Sequence, residues 1–331
     1  MNGTRPPIRR RIEAALTRAA MAWVPFLSRG AVVRLSRAFG ALSCALAIHQ
    51  RRVGLANLDL AYGRTLTPRE KRRILRDSFR TFALVMLDVF WFSHDTRARL
   101  DRWVEIEAAS VPLLFNDRAQ MLLTAHLGNW EILGQAIAHR GLRLMSVAAP
   151  LANPLVDELF LRMRTRSGQE IAAKEGALIK LMKRLRQGGK VAMLPDQNTK
   201  PSEGGAFVDF FSRPVPVSQA PAALAARSAV EIVFGYCLPA PDGRYIARLH
   251  DRLPAEDVAA CRSPEAVIRL TQRITRLVED AVREHPGAWL WTYKRWKYIP
   301  PWRKREEYPF YAKPVSTADA QAPGPVAAAV K

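Results

Sequence analysis

The stretch MLLTAHLGNWEILGQAIA, residues 121–138, decides the fold. Met121 to Thr124 is a short apolar run that reads as a buried strand, and Trp130 to Ala138 reads as a helix ended near Gly141. A buried strand passing straight into a helix is the unit from which parallel sheets are built. Downstream the alternation continues. Leu144 to Ala149 reads as a second strand, followed by helices from Asn153 to about Arg166 and from Gly176 to about Gln187. Val191 to Leu194 reads as a third strand, ending at Pro195-Asp196-Gln197. Ala206 to Phe211 and Glu231 to Cys237 follow as further strands around a helix from Ser218 to Ala226. Arg244 to Leu249 alternates as an edge strand would, and Pro264 to Arg283 is a long amphipathic helix. The predicted fold is α/β, with a mostly parallel central sheet covered by helices.

Upstream, residues 51–103 read as helical. Thr67-Pro-Arg-Glu70 supplies a cap residue, a proline at the first helical position and a glutamate three later. Leu75, Phe79, Phe82, Ala83 and Met86 then follow at helical spacing. Ala19–Leu27 and Ala38–Ile48 are apolar but are separated by Arg29, Arg34 and Arg37. Neither run approaches the roughly 20 residues that span a bilayer, and no small-residue cleavage site marks a secretory signal. They read as amphipathic helices lying on a membrane or packed on the main domain. The expected organisation is a basic, membrane-associating arm (1–50), a catalytic-size α/β domain (51–312) and an Ala/Pro-rich disordered tail (313–331).

Lys and Arg outnumber Asp and Glu by 51 to 30, a net charge of +21, which points to an anionic partner. Arg5, Arg9, Arg10 and Arg11 crowd the N-terminus. Near the other end Lys294, Arg295, Lys297, Arg303, Lys304 and Arg305 interleave with Trp291, Trp296, Tyr298 and Trp302, a mixture suited to the headgroup level of a bilayer. The same mixture stacks on single-stranded nucleic acid, but no zinc finger, RNA-recognition signature or basic heptad supports that alternative. The expected partner is therefore anionic lipid, with no nucleic acid. Cys44, Cys237 and Cys261 are odd in number and widely spaced, which fits buried apolar residues better than disulfides or a metal site.

The chemistry-bearing candidates lie where the first strand ends. His126 and Glu131 are five residues apart, which on one helix turns about 500° and separates their faces by about 140°. They cooperate only if His126 sits in the turn leaving the strand and Glu131 in the first helical turn, with Gly128 and Asn129 supplying the turn and the N-cap. The helix dipole then favours an ionised Glu131. Such a carboxylate holds the imidazole so that one nitrogen donates to it while the other accepts a proton from substrate. That is the base-plus-orienter half of a catalytic triad, with a substrate hydroxyl in place of serine. The alternative is a His and a Glu that serve structure alone.

His126-Leu-Gly-Asn-Trp-Glu131 resembles the His-x4-Asp/Glu box of glycerolipid acyltransferases. In this form, it is similar to that of the late acyltransferases of lipid A biosynthesis, the lauroyl/myristoyl transferase family. Further matching stretches are Asn57-Leu58, Pro195-Asp196-Gln197, Phe207-Val-Asp-Phe-Phe211, Trp289-Leu-Trp291 and Lys294-Arg295-Trp296, so the resemblance runs from about Arg52 to Tyr298. It implies a glycerolipid-acyltransferase-like fold and a fatty acyl donor carried as a thioester on acyl carrier protein. The implied acceptor is a hydroxyl on a phosphorylated, Kdo-bearing lipid A precursor, at the cytoplasmic face of a bacterial inner membrane. No metal, cofactor or acyl-enzyme is implied. By the same resemblance Arg164 and Arg166 match a basic segment that holds a phosphate or the thioester oxygen, the alternative being a solvated basic helix end. Arg213 follows Ser212, where the family often has glycine. Asp196, at a strand's carboxyl end, is a candidate to line the site, and Asn129 a candidate donor to the reacting carbonyl. The arginine-broken arm departs from the clearer membrane helix of many members. Competing readings are an acyltransferase for another glycolipid or a lysophospholipid, and a non-enzymatic basic membrane- or nucleic-acid-binding module.

Overall fold

In the computed structural model, which describes residues 7–148, 153–173 and 176–316, the strand at Met121 runs through the middle of a seven-stranded sheet. The chain opens with four helices, α1 (Pro7–Trp23), α2 (Arg29–Leu46), α3 (Ile48–Tyr62) and α4 (Pro68–Trp91), and α5 (Thr96–Trp103) leads into β1 (Val104–Ile106). Then come α6 (Val111–Leu114), β2 (Gln120–Leu123), α7 (Trp130–His139), β3 (Leu144–Ala148), α8 (Pro154–Arg166), β4 (Glu170–Ala173), α9 (Ala177–Arg186) and β5 (Lys190–Met193). A hairpin of β6 (Gly205–Phe210) and β7 (Arg213–Ser218) is followed by α10 (Ala220–Ser228), β8 (Glu231–Pro239) and β9 (Tyr245–Leu253). The chain continues through α11 (Ala255–Ala259) and α12 (Pro264–Glu284) to a small pair, β10 (Tyr298–Ile299) with β11 (Lys313–Pro314). Arg5, Ala149 and the Ala/Pro-rich stretch from 317 onward lie outside the described residues.

The main sheet has the order β1-β9-β8-β2-β5-β3-β4. β8, β2, β5, β3 and β4 are parallel, while β9 is antiparallel to β8 and carries β1 in parallel beside it. The mostly parallel sheet is as expected, with three differences. The segment expected as a strand from Ala206 lies outside the main sheet, in the antiparallel β6–β7 hairpin. The segment from Arg244 is not an edge strand, because β1 covers its outer side. β1 and β4 are three and four residues long and carry too little apolar pattern to stand out.

Every residue of β2 is buried, as in a central strand covered on both faces. Its side chains alternate between two layers. Met121 and Leu123 join a cluster with Leu181, Leu224, Ile274 and Val278 from α9, α10 and α12, and Leu122 joins Ile137, Leu144 and Val233 on the other face. The 21 residues of α12 bury Val267, Leu270, Ile274, Leu277, Val278 and Ala281 at spacings of three and four, behind a Ser263 N-cap. α4 begins with the expected capping box between Thr67 and Glu70.

The N-terminal helices pack on this body. α2 turns Val32, Ser36 and Gly40 inward, and at Gly40 the approach to α4 is so close that a Cβ would lie 2.5 Å from the Arg80 Cα. An adjoining flank of α2 leaves Phe39, Leu42 and Leu46 exposed, and Trp23, Phe26 and Ile48 are exposed as well. Among the described residues no single helix is long and apolar enough to cross a membrane. α2 and α3 meet those criteria only together, and they meet at a 91° bend. A buried ion pair fixes the arm. The Arg29 guanidinium holds the fully buried Asp88 carboxylate of α4 and donates through Nε to the Gly243 carbonyl at 2.7 Å. Tyr245 and Asn129 donate to the same carboxylate.

Because removing one partner strands a buried charge, Arg29→Met is expected to cost about 3–5 kcal/mol of stability. Urea denaturation of purified protein measures it, and a loss below about 1 kcal/mol would place the pair among weak surface bridges.

Candidate active site

β2 and β5 are neighbours in the sheet, with Leu123 paired to Met193. His126 and Asp196 each stand three residues beyond that pair, so parallel strands in register deliver both to the same carboxyl edge. There His126 Nδ1 lies 2.8 Å from Asp196 Oδ1. The other carboxylate oxygen, Oδ2, accepts from the His126 main-chain N–H at 2.9 Å and from the Trp289 indole N–H at 3.0 Å. A carboxylate partner places the imidazole proton on Nδ1, which leaves Nε2 as an acceptor. The Gln197 side-chain amide donates to it at 3.2 Å. Asp196 is buried, whereas the His126 side chain is 16% exposed. The Trp130 ring packs against the imidazole, centroids 4.7 Å apart.

The electrostatics follow from this geometry. Burial on its own would lower the His126 pKa, but the charge and hydrogen bond of Asp196, with the charge of Glu131 behind them, carry it above the ordinary value. For Asp196 burial would raise the pKa. The His126 charge, two hydrogen bonds from His126 and the Trp289 indole hold it down to about 2.

Glu131 is not the group that touches His126. It sits in the first turn of α7, as expected, but faces α8, where its carboxylate receives both arms of Arg164: Nε to Oε2 at 2.9 Å and Nη2 to Oε1 at 2.6 Å. Asn129 caps α7, its Oδ1 accepting from Ile132 N–H at 3.1 Å. Its amide nitrogen is spent on Tyr245 and Asp88 in a fully buried position, so it does not face a reacting carbonyl. Arg166 donates to the Ser93 carbonyl at 3.2 Å, beside Asp95 and Arg97 rather than the dyad. Arg213 opens β7 and donates to the Ser212 carbonyl. Phe211 and Ser212, with φ of 51° and 56°, form the tight turn before it. Positive φ at both central positions explains why glycine suits this turn.

The C-terminal aromatic-basic segment also differs from expectation. Trp291, Trp296 and Arg295 are buried rather than at the surface. Trp291 and Trp296 pack with Phe211, and Trp296 and Arg295 against Phe210. Of the headgroup candidates Trp302 is the exposed tryptophan, at 64%.

One comparison with known proteins identifies the family. The family model for bacterial lipid A biosynthesis acyltransferases matches residues 8–298, which include the His126 and Asp196 loops and Trp289. The chain belongs to that family. It is an acyltransferase of lipid A biosynthesis. No curated protein matches it.

Beside the dyad the acyltransferase has an apolar slot between α7 and the sheet. Thr124, Trp130, Glu131 and Arg164 line it together with Leu122, Leu133, Ile137, Leu144 and Leu194. The Thr124 hydroxyl is buried there without a hydrogen-bond partner. Among the described residues no group of three or more His, Cys, Asp or Glu side chains is placed to hold a metal ion. The fully buried Cys237 has its thiol pKa pushed up by burial, which keeps it protonated and weakly nucleophilic.

A base must be neutral to accept a proton, and the Asp196 charge favours the protonated imidazole. The acid limb of kcat/KM is therefore expected above the ordinary histidine pKa of about 6.5. Rates fall as pH drops through the His126 pKa. A pH–rate profile of purified enzyme measures this, and a limb below pH ~6 would assign it to another group.

Proposed function

We propose that this acyltransferase moves a fatty acyl chain from acyl carrier protein to a hydroxyl of a lipid A precursor, with His126 as general base and Asp196 as its orienter. The observation that carries the reading is the 2.8 Å contact between His126 Nδ1 and a buried carboxylate, which turns Nε2 toward solvent as a proton acceptor. Nε2 takes the proton of the acceptor hydroxyl as its oxygen attacks the thioester carbonyl. The tetrahedral intermediate collapses, the C–S bond breaks, and the imidazolium returns the proton to the leaving thiolate. Gln197 gives up its contact with Nε2 when the hydroxyl arrives. Glu131 acts one step away, holding Arg164 at the slot where a cation stabilises the developing oxyanion or a substrate phosphate.

Charge supports the donor assignment, since +21 suits an acidic carrier protein and an acceptor bearing phosphates. On this reading the enzyme sits at the cytoplasmic face of the bacterial inner membrane, and surface chemistry supports a monotopic seat on an anionic bilayer. Trp23, Phe26, Phe39, Leu42 and Leu46 are exposed among Arg18, Arg34 and Arg37, a pattern that buries apolar side chains at headgroup depth while cations meet anionic lipid. Mass spectrometry of lipid A from cells with and without the gene identifies the acceptor.

His126→Ala and Asp196→Asn are each expected to lower kcat by about 10²–10⁴-fold, with the double variant little worse than the weaker single. Near-wild-type turnover by His126→Ala would remove the base assignment. At low ionic strength kcat/KM should be higher with acyl carrier protein than with the matching acyl-coenzyme A by ~10-fold or more, and salt should narrow the gap. Equal use of both donors at low salt would overturn the carrier-protein reading.

A further inference from the structure

The segment from Ala288 to Lys294 has no part in the proton transfer, yet it holds both halves of the dyad. On one side it clamps the loop of His126: Gly128 N–H donates to the Ala288 carbonyl at 3.0 Å, and Leu290 N–H to the His126 carbonyl at 3.1 Å. On the other it holds the loop of Asp196. Asn198 N–H donates to the Tyr293 hydroxyl at 2.8 Å, and its amide nitrogen to the Lys294 carbonyl at 2.9 Å. The strap is itself anchored, because Ser78 Oγ donates to the Trp289 carbonyl and Asn57 Nδ2 to the carbonyls of Trp291 and Tyr293.

We propose that Trp289 is a positioning residue for acyl transfer: its indole N–H and the His126 main-chain N–H together hold Asp196 Oδ2, reserving Oδ1 for the imidazole. The torsion about a carboxylate's last bond is soft, so something else must fix the plane of Asp196. Two donors on Oδ2, at 2.9 and 3.0 Å, do so. The indole cannot swing away, because its ring is buried and packed edge-on to Trp291 at 4.8 Å and against Phe210 at 5.5 Å. Trp291 supplies an internal contrast, since its own N–H goes to the Pro286 carbonyl at 2.7 Å and does not reach the dyad.

Losing the indole donor has a directional consequence. Oδ2 then carries more uncompensated negative charge, which favours the protonated imidazole and raises the His126 pKa. The other charged or titratable groups that act here keep their places. Glu131, paired with Arg164, acts on His126, while Tyr293 in the strap and Arg295 just beyond it act on Asp196.

The proposal rests on His126 as the base, and the test separates the two. In the full-length enzyme Trp289 is replaced by phenylalanine and, in a second protein, by benzothienylalanine, which keeps the bicyclic shape and exchanges N–H for sulfur. Loss of one hydrogen bond to a charged group should lower kcat by about 10–100-fold. KM for both substrates should stay within ~2-fold, as for an interaction that matters in the transition state. The acid limb of kcat/KM and the NMR titration of the His126 ring should both move to higher pH. Trp291→Phe, which keeps an aromatic ring against Trp289 and removes an N–H that goes to the Pro286 carbonyl, should leave the titration in place. An unmoved His126 titration in both Trp289 variants, or an equal shift in Trp291→Phe, would overturn the proposal. Full turnover by His126→Ala would instead sink the base reading, while the titration, which needs no turnover, still shows whether Trp289 sets the imidazole.

Discussion

The site depends on one buried charge. Asp196 is a carboxylate almost removed from water, and such a group stays ionised only when fixed donors replace its hydration. Three donors do this, two from His126 and one from Trp289, and the resulting pKa of about 2 reflects their combined effect against burial. They come from chain segments 70 and 93 residues away. The loop after β2, the loop after β5 and the strap before β10 must therefore all be in place before the carboxylate is compensated. The geometry of the proposed dyad and the folding of these three segments are the same requirement at this point.

A second buried carboxylate braces the other end of the same loop. Asp88 receives Arg29, Tyr245 and the side chain of Asn129, while the Asn129 main-chain N–H donates to the Cys237 carbonyl at 2.8 Å. Four residues, His126 to Asn129, are thus held between two buried acids. Between them Gly128, at φ 63°, passes so close to β8 that a Cβ would lie 2.1 Å from the Cys237 carbonyl oxygen. Only a residue without a side chain fits. Through Arg29 this brace reaches α2, so the helix with the exposed apolar ridge and the loop with the proposed base share one hydrogen-bonded cluster.

Local sequence carried the elements well and their neighbours poorly. The strand–turn–helix at residues 121–138, the Thr67–Glu70 capping box and the α12 periodicity are set by residues within a few positions of one another, and all three are present. Strand order is a non-local property. Without it, nothing in the sequence shows that β2 and β5 are adjacent, or that equal offsets from Leu123 and Met193 place His126 against Asp196. Proximity along the chain instead favoured Glu131. The burial of Trp291, Trp296 and Arg295 was hidden for a related reason. Interleaved rings and cations look alike at a lipid surface and in a core, until Phe210 and Phe211 arrive from the hairpin.

The separation of Glu131 from His126 has chemical sense in the proposed mechanism. A carboxylate near an imidazole favours its protonated form, and two of them in contact would hold it protonated at neutral pH, where a base must be free. Asp196 takes the contact that orients the ring, while Glu131 acts on the imidazole through its charge alone. Arg164 offsets that charge by binding both Glu131 oxygens. In return Glu131 fixes a guanidinium at the mouth of the apolar slot, where an anion would otherwise have to order a long, mobile side chain. The five-residue spacing thus serves two charge pairs rather than one. Its first member looks back to the loop after β5 and its last looks out to α8, with the Trp130 ring packed on the imidazole between them.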